Sequence, residues 1–489
     1  MMKSKSVSLV SLALAAIMPV LAQDKSAAPV AASATPTPAT STGLLNDWLR
    51  GQSDDFKAWD LGGQIRLRYE TKENMAVAGR AGAVDFGASV VDNDNDYFLT
   101  RTKLHLGFSP VDWFTAFAEG RHSTAAGDER TPSPDRDAID LHQAFIALGT
   151  VKEFPVTAKI GRQELAYGDE RLIGPSDWGN AGRVFDAAKI RFENSDVWVD
   201  AFVSQVVMVR DEHFNEANNY DYLSGLYAST RTLIPKQETQ LYFLARNVQH
   251  GSPNVIGTGQ PPLLTGASPR DIYTIGMRVK SLPGQFHGWD YEAEFAGQFG
   301  RFQATASSPS LSQEAFAAHV AAGYTWAKTW GAPRAGLEYN YASGDDNPND
   351  GTHGTFDNLF PTNHKFYGFM DFVSWQNIHD ARLAASLKPL AKLTVTADYH
   401  AFWLADTHDY FYQVNGAPRS SGGYGLNSNA GSFVGTELDL AATYAIKPYA
   451  SVQAGYGHFF TGDYVTDLLA SRGGSQDANW FYAQTTFTF

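Results

Sequence analysis

The sequence predicts an all-β fold, a transmembrane antiparallel β-barrel of about 18 strands. Three observations carry this expectation. Outside the first 22 residues there is no run of 18 apolar residues, which excludes helical membrane spans. Segments of about ten residues alternate apolar and polar along the chain. Short turns alternate with long Gly-, Asp-, Asn- and Ser-rich stretches.

Residues 1–22 read as a signal peptide. Lys3 and Lys5 precede the apolar "LVSLALAAIMPVLA", and Val20 and Ala22 place small side chains before the cut. Residues 23–60 form a tether. "SAAPVAASATPTPATST" is too poor in large apolar side chains to build a core, and "GLLNDWL" allows one helical turn. From residue 61 to 489 the texture is uniform, as one barrel requires.

The strands show their two faces directly. In "LGGQIRLRYE", Ile65, Leu67 and Tyr69 share one face, and Gln64, Arg66, Arg68 and Glu70 the other. "YTIGMRVK" sets Tyr273, Ile275, Met277 and Val279 against Thr274, Arg278 and Lys280. "WDYEAEFAGQF" sets Trp289, Tyr291, Ala293 and Phe295 against Asp290, Glu292 and Glu294. Short connections fall near 109–113, 149–155, 193–196, 232–238, 282–288, 328–333, 388–392 and 447–448. Eight turns with both termini on the turn side require nine loops, hence about 18 strands. Long loops include 71–96, 343–378, 405–433 and 461–478. The final "NWFYAQTTFTF" alternates and ends on Phe489, as expected of a strand read by barrel assembly machinery.

A barrel this wide cannot be filled by strand side chains, so its interior is expected to hold water and tolerate charge. The inward faces of the early strands are basic: Arg66, Arg68, Arg101, Lys103, His105, Arg121, Lys189 and Arg191. Later inward faces carry Asp200, Glu292, Glu294, Glu338, Asp398, Glu437 and Asp439, with the bases Arg278 and Lys280 among them. Guanidinium groups along a wet passage attract anions and grip carboxylates. Interior Arg–Glu pairs that only brace the barrel are the other reading. The formal charge of −14 becomes −16 once Lys3 and Lys5 leave with the signal, which argues against nucleic acid as a partner.

"GRQELAYGDERLIGPSDWGNAGRVFDAAKI" (161–190) resembles the alginate export family of outer-membrane porins. "SGDDNPNDGTHGTFDNLFPTNHKFYGFMDF" (343–372) and "RTKLHLGFSPVDWFTAFAEGR" (101–121) support the resemblance, which extends over residues 60–489. It implies an 18-stranded monomeric barrel in the bacterial outer membrane, surrounded by lipid. Such a barrel passes an anionic uronate polymer through an arginine-lined constriction. It also implies that Arg162, Asp169, Arg171 and Arg183 lie in the third loop, folded toward that constriction, while Arg66, Arg68 and Arg101 line the pore. An uptake porin for oligosaccharides or small organic anions is the alternative within transport. A closed structural or adhesin-like barrel is the alternative outside it.

Other chemistry finds little support. The chain has no Cys, no Gly-x-Ser-x-Gly elbow, no HExxH and no P-loop, so no enzyme is expected. The 13 His are scattered without metal-ligand spacing. No cofactor is expected beyond a calcium ion near Asp345, Asp346 and Asp350. A solvated loop is the other reading of that acidic cluster, which lacks the EF-hand spacing.

Overall fold

A computed structural model describes residues 44–88, 91–152, 154–211, 213–250, 268–305, 307–426 and 429–489, with the backbone of 253–254 and 263–266. The expected signal peptide and most of the tether lie outside the described residues. The described part of the tether is more helical than expected. A helix, α1 (Leu44–Gln52), runs into a 3-10 turn, Asp54–Ala58. Asn46 pins α1 to the first strand by donating to Asp60 (2.6 Å) and accepting from the Leu61 N–H (2.8 Å).

Eighteen long strands follow, as the turn count predicted. They are β1 (Trp59–Glu73), β2 (Asn95–Val111), β3 (Phe114–Ala126), β4 (Asp137–Leu148), β5 (Val156–Gln163) and β6 (Phe185–Glu193). Next come β7 (Val197–Met208), β8 (Glu216–Thr230), β9 (Gln237–Val248), β10 (Arg270–Ser281), β11 (Trp289–Phe302) and β12 (Leu311–Thr325). The last six are β13 (Arg334–Ala342), β14 (Ile378–Leu390), β15 (Leu393–Leu404), β16 (Phe433–Lys447), β17 (Ala450–Thr461) and β18 (Ala478–Thr488). Each pairs antiparallel with its sequence neighbours. The sheet closes where β1 meets β18, from Gln64 opposite Thr488 to Glu73 opposite Asn479. Closure is obligatory in lipid, because an open edge would leave backbone N–H and C=O groups without partners.

The period-two pattern sorts the side chains. Ile65, Leu67 and Tyr69 are 38–41% exposed, whereas Arg66, Arg68 and Glu70 are at most 4% exposed. Ile275 and Met277 likewise face outward while Thr274 and Arg278 are buried inside. Exposed Trp113, Trp289, Trp326 and Trp330 cluster at the turn end, forming an interfacial girdle. All eight expected turns occur, the tightest being 112–113, 391–392 and 448–449.

The interior departs from a simple water-filled tube. Four loops matter here: L1 (74–94), L3 (164–184), L7 (343–377) and L8 (405–432). Their apolar side chains share one buried cluster with inward strand residues. From L3 it includes Leu165, Leu172 and Ile173; from L7, Phe356, Phe360, Tyr367, Met370, Phe372 and Trp375; from L8, Phe411 and Tyr424. Strand side chains are too short to fill so wide a lumen, so folded-in loops build the core.

Candidate functional site: a lumen with two walls

The basic wall grips one short piece of L3. Arg66 donates to the carbonyls of Asp177 (2.8 Å), Trp178 (3.0 Å) and Gly179 (3.1 Å). Arg68 donates to the Trp178 carbonyl (2.9 Å) and pairs with Glu70 (2.8 Å). Arg101 holds the Asp177 carboxylate with two nitrogens (2.8 and 3.0 Å), and Lys103 adds a third contact at 3.2 Å. Arg121 reaches the Ala181 carbonyl and the Asp137 carboxylate. A guanidinium has only donors, and a turn in the lumen presents carbonyls that no strand satisfies. Burial alone would raise the Asp177 carboxyl, but Arg101, Lys103 and Arg66 outweigh it and hold it well below the usual range.

The acidic wall does the complementary thing to L7. The Met370 N–H donates to Glu437 (2.8 Å) and the Phe369 N–H to Asp439 (3.1 Å). Carboxylates have only acceptors, so they take backbone N–H groups. Gly368 (φ +87°) permits this approach, since a Cβ there would sit 2.5 Å from a Glu437 carboxylate oxygen. Each wall thus anchors the loop whose free backbone groups match its own chemistry.

L3 and L7 also bind each other. The Phe360 N–H donates to the Leu172 carbonyl, the Gly174 N–H to the Phe360 carbonyl and the Thr362 N–H to the Glu170 carbonyl, each at 2.9 Å. Arg171 extends the clamp to β12 and β13, donating to Glu338 (2.8 Å) and Asn340 (3.2 Å) and contacting His319 at 3.2 Å. Its guanidinium also lies 4.0 Å from the Phe366 ring centroid. Asp169 meets Lys280 and Arg278, each at 3.2 Å. Trp178 lies between Arg68 and the His364 ring, 4.0 Å from each.

The structure therefore brings Arg66, Arg68, Arg101, Lys103 and Arg121 onto residues 177–181, and places Asp169, Arg171 and Arg183 within L3 inside the barrel. Lys189 and Arg191 point inward but take a local partner, Asp200, at 3.4 and 2.6 Å. Arg162 is a correction. It was expected in the third loop, lining the pore, but β5 continues through Gln163. Arg162 therefore shares the outward face of Ile160 and pairs there with Asp186 (2.8 Å).

Sequence reasoning missed a group of bases on the loop side. A cavity of about 600 Å³ is lined by L1, L3, L7 and L8 and includes Arg246, Arg270 and Arg419. Arg246 and Arg270 sit at the loop ends of β9 and β10, where strand alternation gives some signal. Arg419 lies in L8, where nothing periodic marks it.

Among the described residues, no three His, Asp or Glu side chains gather as metal ligands, and those near Asp345, Asp346 and Asp350 are no exception. Asp345 instead marks the junction of L7 with L8. Its N–H donates to Asp409 (3.0 Å), which also accepts from Thr355 (2.6 Å) and Tyr412 (2.8 Å). Burial, with repulsion from Asp409, Asp350 and Asp346, pushes the Asp345 carboxyl up to about 6. Burial also raises Asp409. The closed junction therefore holds protons that the opened loops release. Its stability is fullest below the ordinary carboxyl pKa and is lost as pH rises through about 6. Limited proteolysis of L7 and L8 is expected to be slower at pH 5 than at pH 7.5. Asp345→Asn should flatten that difference; an undiminished pH effect in the variant would refute the assignment.

A closed barrel of 18 antiparallel strands, apolar outside and charged inside, with short turns at one end and long inward loops at the other, defines an outer-membrane channel of the porin class. The chain belongs to the alginate export family, whose profile, described as Alginate export, matches residues 58–475. No curated protein matches the chain. Among solved structures it is similar to Pseudomonas aeruginosa OpdQ, with a TM-score of 0.56 and 13% identity over 88% of this chain and 98% of that one. A BenF-like porin from Pseudomonas fluorescens Pf-5 gives 0.54 and 9% over 88% and 99%. Pseudomonas aeruginosa OpdK, solved with vanillate, gives 0.53 and 11% over 88% and 98%. At such identities the shared property is the fold. Family and fold together place this chain in the bacterial outer membrane as a channel rather than an enzyme.

Proposed function

We propose that the channel passes an anionic polysaccharide of the alginate type, a polyuronate, along its basic wall. The observation that supports this reading is the segregation of charge. Arg66, Arg68, Arg101, Lys103 and Arg121 share adjacent strands, while Glu437 and Asp439 stand together on β16, remote in sequence. A carboxylate on every sugar unit suits a continuous row of guanidinium and ammonium groups. L3 and L7 would move together, since backbone hydrogen bonds join them to each other.

A second reading, a selective porin for oligosaccharides or small organic anions, is favoured by one observation. The loop-lined cavity of about 600 Å³ suits one or two sugar units rather than a chain. Planar-bilayer recordings of the purified protein separate the two. Anion selectivity with block by oligouronates at far lower concentration than by a single uronate supports polymer passage. Equal block per carboxylate supports the small-anion porin. Cation selectivity, or indifference to uronate, would overturn polymer passage and leave a porin for uncharged oligosaccharides.

A further inference from the structure

The outer face of the barrel carries a recess at its loop end. There β13, β14 and β15 set their outward side chains in three registered rows. Leu337, Leu383 and Tyr399 form the first row and are 43–68% exposed. Tyr339, Ala381 and Ala401 form the second. Tyr341, His379 and Trp403 form the third, nearest the loops. The two alanines between bulkier rows leave a hollow. L7 and L8 send their apolar side chains into the lumen, so only the ends of L8 border the outer rim. The resulting recess holds about 590 Å³, within the range of small-molecule sites, and is lined by Tyr339, His379, Trp403, Asp406, Thr407 and His408.

An interfacial girdle accounts for Tyr and Trp at this height. It does not account for a hollow between them with a carboxylate and two imidazoles at its edge. The Tyr339 hydroxyl lies 2.6 Å from His379 Nδ1. Asp406 Oδ1 accepts the His408 N–H (2.8 Å) and meets its Nδ1 (2.8 Å), and no hydrogen bond engages Asp406 Oδ2 among the described residues. The rows therefore run from apolar, through a groove, to aromatic and polar, and the molecule that matches them is amphipathic. Long loops mark the extracellular end of such a barrel, so the recess opens to the outer leaflet, where the lipid of this membrane is glycolipid. We propose that the recess is a binding site for the sugar headgroup of an outer-leaflet glycolipid. The C–H face of a sugar ring stacks on Trp403, a sugar hydroxyl donates to Asp406, and an acyl chain follows the alanine groove down to Leu383 and Leu337. A glycerophospholipid carries the chains but not the ring. The site is independent of the solute that passes through the lumen.

The test is native mass spectrometry of the full-length protein released from amine-oxide micelles and titrated with lipid A or with phosphatidylglycerol. One lipid A is expected to be retained at a concentration at least tenfold below that needed for phosphatidylglycerol. Trp403→Leu removes the stacking surface and Thr407→Trp fills the recess; each should weaken lipid A at least tenfold. Heat-modifiable gel migration shows which variants keep the barrel, and if Trp403→Leu does not fold, Thr407→Trp alone decides. Unchanged lipid A affinity in an intact variant overturns the site. Equal affinity for phosphatidylglycerol overturns the sugar headgroup as its ligand.

Discussion

Replacing Arg66, Arg68 and Arg101 together with alanine is expected to raise single-channel conductance severalfold and to abolish anion selectivity. The three side chains supply most of the donors that hold residues 177–179 in the lumen. Hydrogen bonds to charged groups contribute roughly 1.5–3 kcal/mol each. Their joint loss exceeds what Lys103 and Arg121 can retain, and Asp177 would keep only Lys103 beside it. L3 should therefore leave the wall. The barrel should not follow, because its ladder is backbone pairing that these side chains do not enter. Planar-bilayer recording with reversal potentials measures the outcome, and heat-modifiable gel migration checks that the barrel is intact. Unchanged conductance from an intact barrel would show that L3 is held by its contacts with L7 alone.

Arg171→Ala is expected to free L3 and L7 as a pair. Arg171 is buried and binds Glu338, Asn340 and Tyr367 across more than 160 residues of sequence. Removing one partner of a buried ion pair costs about 3–5 kcal/mol when the other charge is stranded. Here Glu338 keeps Arg382 at 3.1 Å, so the cost falls at the lower end and is borne by the loops. Protease cleavage within 343–377 should accelerate at least tenfold, with the trypsin-resistant barrel core unchanged. Loss of the barrel itself would show that Arg171 braces the β12–β13 wall rather than the loops. An unchanged cleavage rate would show that the L3–L7 backbone contacts suffice without it.

The two predictions concern different anchors: Arg171 binds side chains, whereas the two walls bind loop backbone by one rule. Donor-only side chains stand opposite carbonyls, and acceptor-only side chains stand opposite N–H groups. This arrangement gives the lumen a fold of its own, suspended inside the sheet. It also explains how so many charges coexist with a hydrophobic cluster: the polar contacts lie at the walls, while Phe360, Tyr367 and Trp375 pack centrally.

Strand number, face assignment and turn positions were legible because each depends on residues near in sequence. Ile65 faces lipid and Arg66 faces the lumen through pleat geometry alone, and lipid then demands that the sheet close. The basic and acidic walls follow from the same alternation, so the inward positions of Arg101, Lys103, Glu437 and Asp439 could be read directly. Arg162 was misplaced because a motif, rather than the alternation starting at Ile160, set the expected end of β5. Loop placement was not legible. Nothing local in "SDWGN" says that its carbonyls meet Arg66 and Arg68 more than 100 residues earlier. Nothing in L8 says that Arg419 reaches Asp85 in L1. Sequence by itself thus determined a closed, two-walled barrel, because period-two patterning and the solvent on each face are local facts. Only the tertiary structure decided which loop each charge holds, because the partners come from distant loops whose paths are set by packing.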